Sequence, residues 1–327
     1  MTCIAVLDDY LHLAAEAADW HSLDAEVDFF HDTIHDTEAL VARLEPYDAL
    51  VTMRERTQFP RAVLERLPKL KLIAGTGRRQ ANVDHSAATE LGIPVCVTVG
   101  SGAQGNTTAE LTWALVLAVT RHIAWEDGQM RQGRWQTRLS EGLAGKTLGI
   151  MGLGRIGKII AEYGQAFGME VIAWGPTLDA ERAVRSGVEY VGFEELFARS
   201  DVLSIHVILS EQSRGLVGAR ELGLMQPSAF LVNTARGPIV EEAALVAALK
   251  SGEIAGAALD VYDREPLPSD SPLLALDNVL LTPHLGYNTG ATLKQFYAAA
   301  VENVRAWMAG APTNVLNDDV LDRPRKQ

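Results

Sequence analysis

Three glycines spaced Gly152-x-Gly154-x-x-Gly157 constrain this 327-residue chain more than any other feature. They lie within KTLGIMGLGRIGKIIAEYGQAFGMEVIAWG, after a strand-like apolar run from Thr147 to Met151 and at the start of a helix-like segment. A second apolar run, Glu170 to Trp174, follows Gly168. Strand, glycine turn, helix and strand is the order in which the spacing has a mechanism. The first glycine permits a tight turn, the second lets a pyrophosphate approach the backbone, and the third lets helix pack on strand while the helix N-terminus faces the phosphates. Gly152, Gly154, Arg155, Ile156 and Gly157, with Trp174 and Gly175 at the second strand's end, are therefore candidate dinucleotide-binding residues. A glycine-rich turn of an α/β sheet that binds nothing is the competing reading.

Apolar runs alternate with helix-like segments on both sides of this loop. From Cys3 to Val97 the runs are Ile4 to Leu7, Ala49 to Thr52, Leu70 to Ala74 and Ile93 to Val97, with helices expected at Thr37 to Leu44 and Pro60 to Leu67. Such alternation implies a parallel sheet flanked by helices. A glycine-rich stretch, TVGSGAQGN, follows, and TTAELTWALVLAVTRHI then reads as one long helix, apolar on nearly all sides, whose surface a domain junction or a partner subunit must cover. After a polar stretch from Glu126 to Glu141, a second alternation runs from Thr147 to Leu281. Its further strands are expected at Val202 to Val207, Phe230 to Asn233, Gly256 to Val261 and Val279 to Leu281. Gly290 to Met308 reads as a final helix and NDDVLDRPRKQ as a frayed polar tail. The fold expected is α/β with two doubly wound parallel-sheet domains. One, discontinuous, is a flavodoxin-like substrate-binding domain of residues 1–100 and 288–327; the other is a Rossmann dinucleotide-binding domain of residues 101–287.

A net charge of −13, from 29 basic and 42 acidic residues, disfavours binding to nucleic acid or anionic membrane. An anionic small molecule would need locally gathered arginines. Cys3 and Cys96 each sit in an apolar run and read as buried reduced thiols, not as a disulfide or metal site. Asp8 and Asp9 interrupt the one early apolar run, which argues against a signal peptide, and runs such as Ala229 to Thr234 are too short to span a bilayer. A soluble cytoplasmic protein is expected.

The second strand of a dinucleotide site commonly ends in an acid that accepts the ribose hydroxyls. Here the place reads Trp174-Gly175-Pro176-Thr177, with neither that acid nor an adjacent cation for a 2'-phosphate. Asp179 and Glu181 are near but are equally explained by helix capping. The cofactor is NAD or NADP, with a lean to NAD because Arg182 is the first cation after the strand.

Ligands of open α/β sheets sit beyond the carboxyl ends of the strands. Arg236 in FLVNTARGPIV, Asp260 and Glu265 in AALDVYDREPL, and His284 in LLTPHLG all fall there. Taken singly, each has a bland account: a surface cation, a cap, a loop acid ahead of Pro266, a structural histidine. Together they fit one reaction, reduction of a 2-oxo acid. Arg236 offers a fork of donors to a carboxylate and a neighbouring carbonyl oxygen. His284 is suited to deliver and retrieve the proton, and Glu265, bonded to its other ring nitrogen, would orient it and favour the protonated form.

The series GLGRIG, LVNTARGPIVEEAAL, AALDVYDREPLP and LTPHLG resembles the D-isomer-specific 2-hydroxyacid dehydrogenase family in order and spacing over essentially the whole chain. The resemblance implies Arg236, Glu265 and His284 as catalytic residues and Asp260 as the acid that contacts the nicotinamide carboxamide. It also implies His206, Thr234 and Gly286 along the cofactor wall, a cleft between two domains that closes about a hinge, and a homodimer built through the dinucleotide domain. Family members hold the substrate carboxylate partly on a glycine-rich loop matching AGTGRRQANVD, which makes Thr76, Gly77, Arg78 and Arg79 substrate-binding candidates, joined by Arg54 and Arg56 as local positive charge. Arg79 and Ala81 stand where many members have Gly and Asp, and Ile208 departs from a cofactor-wall segment that often holds Pro. A turn ahead of the helix at Asp84 is the other role open to the loop. Since the sequence ends soon after its last helix, the C-terminal regulatory domain of many phosphoglycerate dehydrogenases is not expected, and the Glu265–His284 pair argues against the formate dehydrogenase branch. Glyoxylate or hydroxypyruvate reduction is the leading expectation; a dinucleotide-sensing, corepressor-like binding protein is the alternative.

Overall fold

A computed structural model of the chain describes residues 1–98 and 104–322, and it divides into two units, Met1–Gly102 with Thr289–Gln327, and Ala103–Asn288. The junction expected between residues 100 and 101, most of the stretch TVGSGAQGN and the last five residues of the tail lie outside the described residues.

The first unit is built on a parallel sheet of β1 (Thr2–Val6), β2 (Ala25–Phe29), β3 (Ala49–Thr52), β4 (Leu72–Gly75) and β5 (Val95–Val97) in the order β2-β1-β3-β4-β5. That order is the flavodoxin-like one. β3 and β4 are buried along their whole length, which is why they read as unbroken apolar runs. β2, with the sequence AEVDF, escapes that reading because it is an edge strand whose residues alternate between partly buried and exposed. Leu50, Ile73, Phe59, Leu64 and Val95 meet in one core cluster. The helix Thr37–Leu44 starts where expected because Asp36 accepts the Ala39 N–H at 2.8 Å. The helix Gly290–Met308 belongs to this unit, and Leu293, Phe296, Tyr297, Val301 and Val304 are buried along it. Burial of side chains this size stabilises by roughly 1.5–3 kcal/mol each. The tail departs from its frayed expectation through Asp322. Val315 pairs with Cys96, Asn317 bonds the Val95 N–H and the Ile93 carbonyl, and Val320 is buried.

The second unit holds a seven-stranded parallel sheet of β6 (Thr147–Met151), β7 (Glu170–Trp174), β8 (Glu189–Tyr190), β9 (Val202–Ile205), β10 (Phe230–Asn233), β11 (Gly256–Leu259) and β12 (Val279–Leu281). Its order, β12-β11-β10-β9-β6-β7-β8, runs outward in both directions from β6 and β9, so this is a Rossmann sheet with its switch point between those two strands. β8 is only two exposed residues long and carries too little pattern to be read from sequence. The apolar helix also differs from expectation. It spans Gln104–Thr120 and stops before His122, whose φ of +51° breaks the chain into a second helix, Ile123–Met130. Part of its apolar surface is covered within the unit: Trp113 packs against Tyr163 and Phe167, and Ala109, Val116 and Val119 join Ile150, Val232 and Ala258 in one core cluster.

Candidate active site

The glycine loop follows β6 directly. Gly152 has φ +101°, its N–H donates to the Trp174 carbonyl at 2.7 Å, and a Cβ there would stand 2.8 Å from Val207 N. A Cβ on Gly157 would lie 2.3 Å from the Gly152 carbonyl oxygen, so helix and turn can close only without one. Gly154, the N-cap of the helix Arg155–Ala166, has no neighbouring heavy atom where its Cβ would be. Open space over the N-terminus of a twelve-residue helix, bounded by exposed Arg155 and half-buried Ile156, is the shape a pyrophosphate needs. The cradle therefore fits a dinucleotide.

Beyond β7 the charges are already engaged. Asp179 caps the helix Ala180–Arg185 by accepting the Arg182 N–H at 2.8 Å, and the Arg182 guanidinium donates to the Thr177 carbonyl. Trp174 packs on Phe193 with ring centroids 4.6 Å apart, and Gly175 is buried against Gly152. Across the switch point, His206 donates its backbone N–H to the Met151 carbonyl and shares a 2.8 Å bond between Nε2 and Ser204 Oγ. Although the ring keeps some surface, protein atoms hem it closely, and this loss of water lowers its pKa to about 4, so it is neutral. Ile208 is exposed.

Three neighbouring strands, β10, β11 and β12, present Arg236, then Asp260 and Glu265, then His284 beyond their carboxyl ends. Asn233 shapes the first loop, accepting the Ala235 N–H and donating to the Arg236 carbonyl, each at 3.0 Å. Arg236 Nη1 donates to the Ala235 carbonyl at 2.7 Å, and Thr234 shares a 2.8 Å bond with the Thr112 hydroxyl. Gly237 fits so tightly on the next loop that a Cβ would fall 2.0 Å from the Tyr262 carbonyl carbon, which fixes the loops of Arg236 and Glu265 side by side.

Glu265 and His284 form the closest functional pair. Glu265 Oε2 lies 2.6 Å from His284 Nδ1, with side chains 18% and 13% exposed, and Oε1 accepts the Tyr262 N–H at 3.1 Å. Both oxygens are thus directed, and with Nδ1 occupied the ring is left with Nε2 for chemistry. Tyr262 in turn donates its hydroxyl to the Leu259 and Thr282 carbonyls.

Asp260 has a structural task that its strand-end position does not reveal. Oδ1 accepts from the Thr282 hydroxyl at 2.6 Å and the Leu285 N–H at 2.7 Å, and Oδ2 accepts from the Gly286 N–H at 3.0 Å. Burial pushes its carboxyl above the usual range, while these three bonds and the charge on His284 pull the other way. A carboxylate offers about four acceptor positions, so one remains for a ligand amide. Gly286 is buried, and its carbonyl accepts the hydroxyls of Thr107 and Thr108.

In the first unit the candidate loop is largely tied to its own sheet. Thr76 is buried and its hydroxyl accepts the Arg54 N–H at 2.9 Å, while the Gly77 N–H donates to Thr98 Oγ1 at 2.5 Å. Arg54 takes φ +56°, and its guanidinium lies over Gly77 where a Cβ would otherwise stand. Arg78 and Arg79 are exposed, and Arg56 lies over the Tyr10 ring at 5.1 Å.

Known proteins resemble this chain in sequence and in fold. The model of the family "D-isomer specific 2-hydroxyacid dehydrogenase, NAD binding domain" matches residues 113–286. A glyoxylate reductase of Aeropyrum pernix is 41% identical over 295 residues, 87% of each chain. A solved phosphoglycerate oxidoreductase from Vibrio cholerae O395 superposes with TM-score 0.89 at 38% identity, covering 95% of this chain and 100% of that one. A D-lactate dehydrogenase from Aquifex aeolicus, solved with NAD and lactic acid, gives TM-score 0.77 at 25% identity, covering 94% of this chain and 96% of the other.

Proposed function

The chain belongs to the D-isomer specific 2-hydroxyacid dehydrogenase family, NAD-dependent enzymes acting on 2-hydroxy acids, and from that premise we propose that it reduces a small 2-oxo acid of the glyoxylate or hydroxypyruvate kind. The observation that carries the reading is the 2.6 Å bond between Glu265 and His284 at the carboxyl edge of a dinucleotide-binding sheet. Arg236 holds the substrate carboxylate and the C2 carbonyl oxygen with its fork of donors, so negative charge growing on that oxygen meets a fixed cation. His284 delivers a proton to the same oxygen from Nε2, while Glu265 keeps Nδ1–H and balances the imidazolium. In the oxidative direction the neutral ring takes that proton back.

NADH, when bound, supplies the hydride. The amides after Gly154 and the N-terminus of the helix Arg155–Ala166 hold its pyrophosphate, with Trp174, Gly175, His206, Thr234 and Gly286 along its length, and the remaining acceptor position of Asp260 takes the carboxamide. We favour NAD over NADP because Arg182 is drawn to a backbone carbonyl and not presented to a 2'-phosphate. In this reading Ala103–Asn288 is the dinucleotide-binding domain and the other unit is the substrate-binding domain, with Arg54, Thr76, Gly77, Arg78 and Arg79 as substrate contacts. The location proposed is cytoplasmic, where the Cys3 and Cys96 thiols stay reduced; burial pushes that of Cys96 up to about 12. No helix among the described residues is long and apolar enough to cross a membrane.

The test is steady-state oxidation of NADH and NADPH with a panel of 2-oxo acids, alongside His284→Ala. Turnover is expected in the ordinary enzyme range, about 1 per second or more, with NADH preferred. For His284→Ala the rate should fall at least about a hundredfold with NADH affinity kept, the usual scale for losing a general acid. Turnover of about one per minute or less with every acid would point instead to a binding protein, and wild-type rates in the variant would remove His284 from the reaction.

A further inference from the structure

Glu265 holds the imidazole of His284 at Nδ1. A second contact bears on the same ring. The Tyr287 ring stands edge to face with the imidazole, centroids 5.6 Å apart and planes inclined at 70°. This is the spacing and inclination at which aromatic pairs attract.

The backbone explains why the tyrosine is there. Asp260 draws in the N–H groups of both Leu285 and Gly286, and the Asn288 N–H closes back on the Leu285 carbonyl at 2.8 Å. This turn reverses the chain within three residues of His284 and returns residue 287 beside the ring. From its other side the turn is gripped by Thr107 and Thr108, whose hydroxyls donate to the Gly286 carbonyl at 3.1 and 2.8 Å. Tyr287 is itself half-buried. The tyrosine ring is thus borne on a clamped segment and can act as a fixed wall.

We propose that Tyr287 is a positioning residue for the acid–base histidine, holding the imidazole at the tilt that aims Nε2 at the reacting oxygen. The inference rests on the assignment of His284 given above. The aromatic ring supplies the contact, so phenylalanine should serve in its place and alanine should not. A misplacement of the order of 1 Å at a reacting group costs up to about a hundredfold in rate, and a ring that remains tethered by Glu265 should lose less, about tenfold.

The experiment compares Tyr287→Ala, Tyr287→Phe and His284→Ala with the wild type, using NADH and glyoxylate. For Tyr287→Ala we expect kcat to fall about tenfold, an unchanged NADH dissociation constant, a melting temperature lowered by no more than a few degrees, and a larger solvent deuterium isotope effect on kcat, since proton delivery becomes the slow step. Tyr287→Phe should recover wild-type kcat to within about twofold. Wild-type kcat in Tyr287→Ala, a defect confined to KM for the 2-oxo acid, or failure of phenylalanine to restore the rate would each overturn the proposal. The His284→Ala arm separates the two levels of inference, because full activity there would refute the acid–base assignment whatever the tyrosine variants do.

Discussion

His284 sits at φ +54°, a left-handed backbone angle that costs a non-glycine residue of the order of 1–2 kcal/mol. What holds it is the pair of bonds from Asp260 to the next two amides, together with the His284 N–H on the Thr282 carbonyl at 3.0 Å. Strain at this residue is consistent with a ring that has to point one way. Its carboxylate partner carries a test. Both Glu265 oxygens are engaged, Oε2 with His284 Nδ1 and Oε1 with the Tyr262 N–H, whereas Gln offers a single oxygen, so Glu265→Gln must give up one of the two contacts. The looser ring should lower kcat for reduction about tenfold with NADH affinity kept. Steady-state rates beside NADH titration decide this, and wild-type kcat in the variant would exclude the pairing as a functional one. The placement of Arg236, Glu265 and His284 beyond the carboxyl ends of β10, β11 and β12 was legible in the sequence because each follows an apolar run whose strand ends just before it. The clamp by Asp260 and the contact of Tyr287 were not, since both depend on a turn whose closure is made by backbone amides that every residue possesses.

At the scale of elements, the glycine turn and the strand after it carry separable tests. Gly154 has room for a methyl group and an extended backbone, φ −86° and ψ −158°, that alanine adopts without strain. The Gly154→Ala variant should therefore fold with a melting temperature within a few degrees of wild type, allowing for the roughly 0.5–1 kcal/mol by which glycine is the better N-cap. NADH binding should nevertheless weaken about tenfold or more, because the methyl occupies the space of the pyrophosphate. Titration of NADH fluorescence beside thermal unfolding separates the two effects; unaltered affinity would move the phosphates elsewhere. His206, at the end of β9, gives a stability test. Its folded pKa of about 4 lies below the ordinary histidine value of 6.5, so the unfolded chain takes up the proton first as pH falls. The stability this neutral ring contributes is present above pH 6.5 and is lost as pH drops towards 4. The loss is at most about 3.5 kcal/mol, since each of the roughly 2.5 pH units between the two values is worth about 1.4 kcal/mol. Between about pH 7 and about pH 4.5, wild type should lose more stability than His206→Gln when both are unfolded in urea. Parallel losses would show that the ring is not kept neutral. Strands buried on both faces, such as β3 and β10, were plain in the sequence as apolar runs. The alternating edge strand β2, the two-residue β8 and the break at His122 were not, because edge exposure and a single left-handed residue leave almost no compositional trace.

For the whole molecule, the family resemblance implied a homodimer, and the apolar helix left open whether a domain junction or a partner covers it; part of that helix is covered by its own unit. The surface that remains to be explained lies just after it. Ile123, Met130, Trp135 and Leu139 are 55%, 57%, 74% and 90% exposed, a cluster of large apolar groups in one stretch of a chain whose net charge of −13 otherwise favours solvation. The stretch is ordered by its own polar bonds. Glu126 accepts the N–H groups of Thr137 and Arg138, and the Arg138 guanidinium stacks 3.5 Å over Trp125 and donates to the Asp277 carbonyl. A segment preorganised in this way presents Trp135 and Leu139 at low entropic cost, and tryptophan anchors of this kind dominate interface energies. A second copy of the chain, docking through the dinucleotide-binding unit, is the partner we expect. Sedimentation of the wild type should give twice 35.4 kDa at micromolar concentration, and Trp135→Asp combined with Leu139→Asp should shift it to the monomer. Each of these side chains is already exposed, so neither substitution opens a cavity and folding should survive, which circular dichroism can verify. A wild type that sediments at 35.4 kDa, or a double variant that stays dimeric, would place the interface elsewhere or remove it.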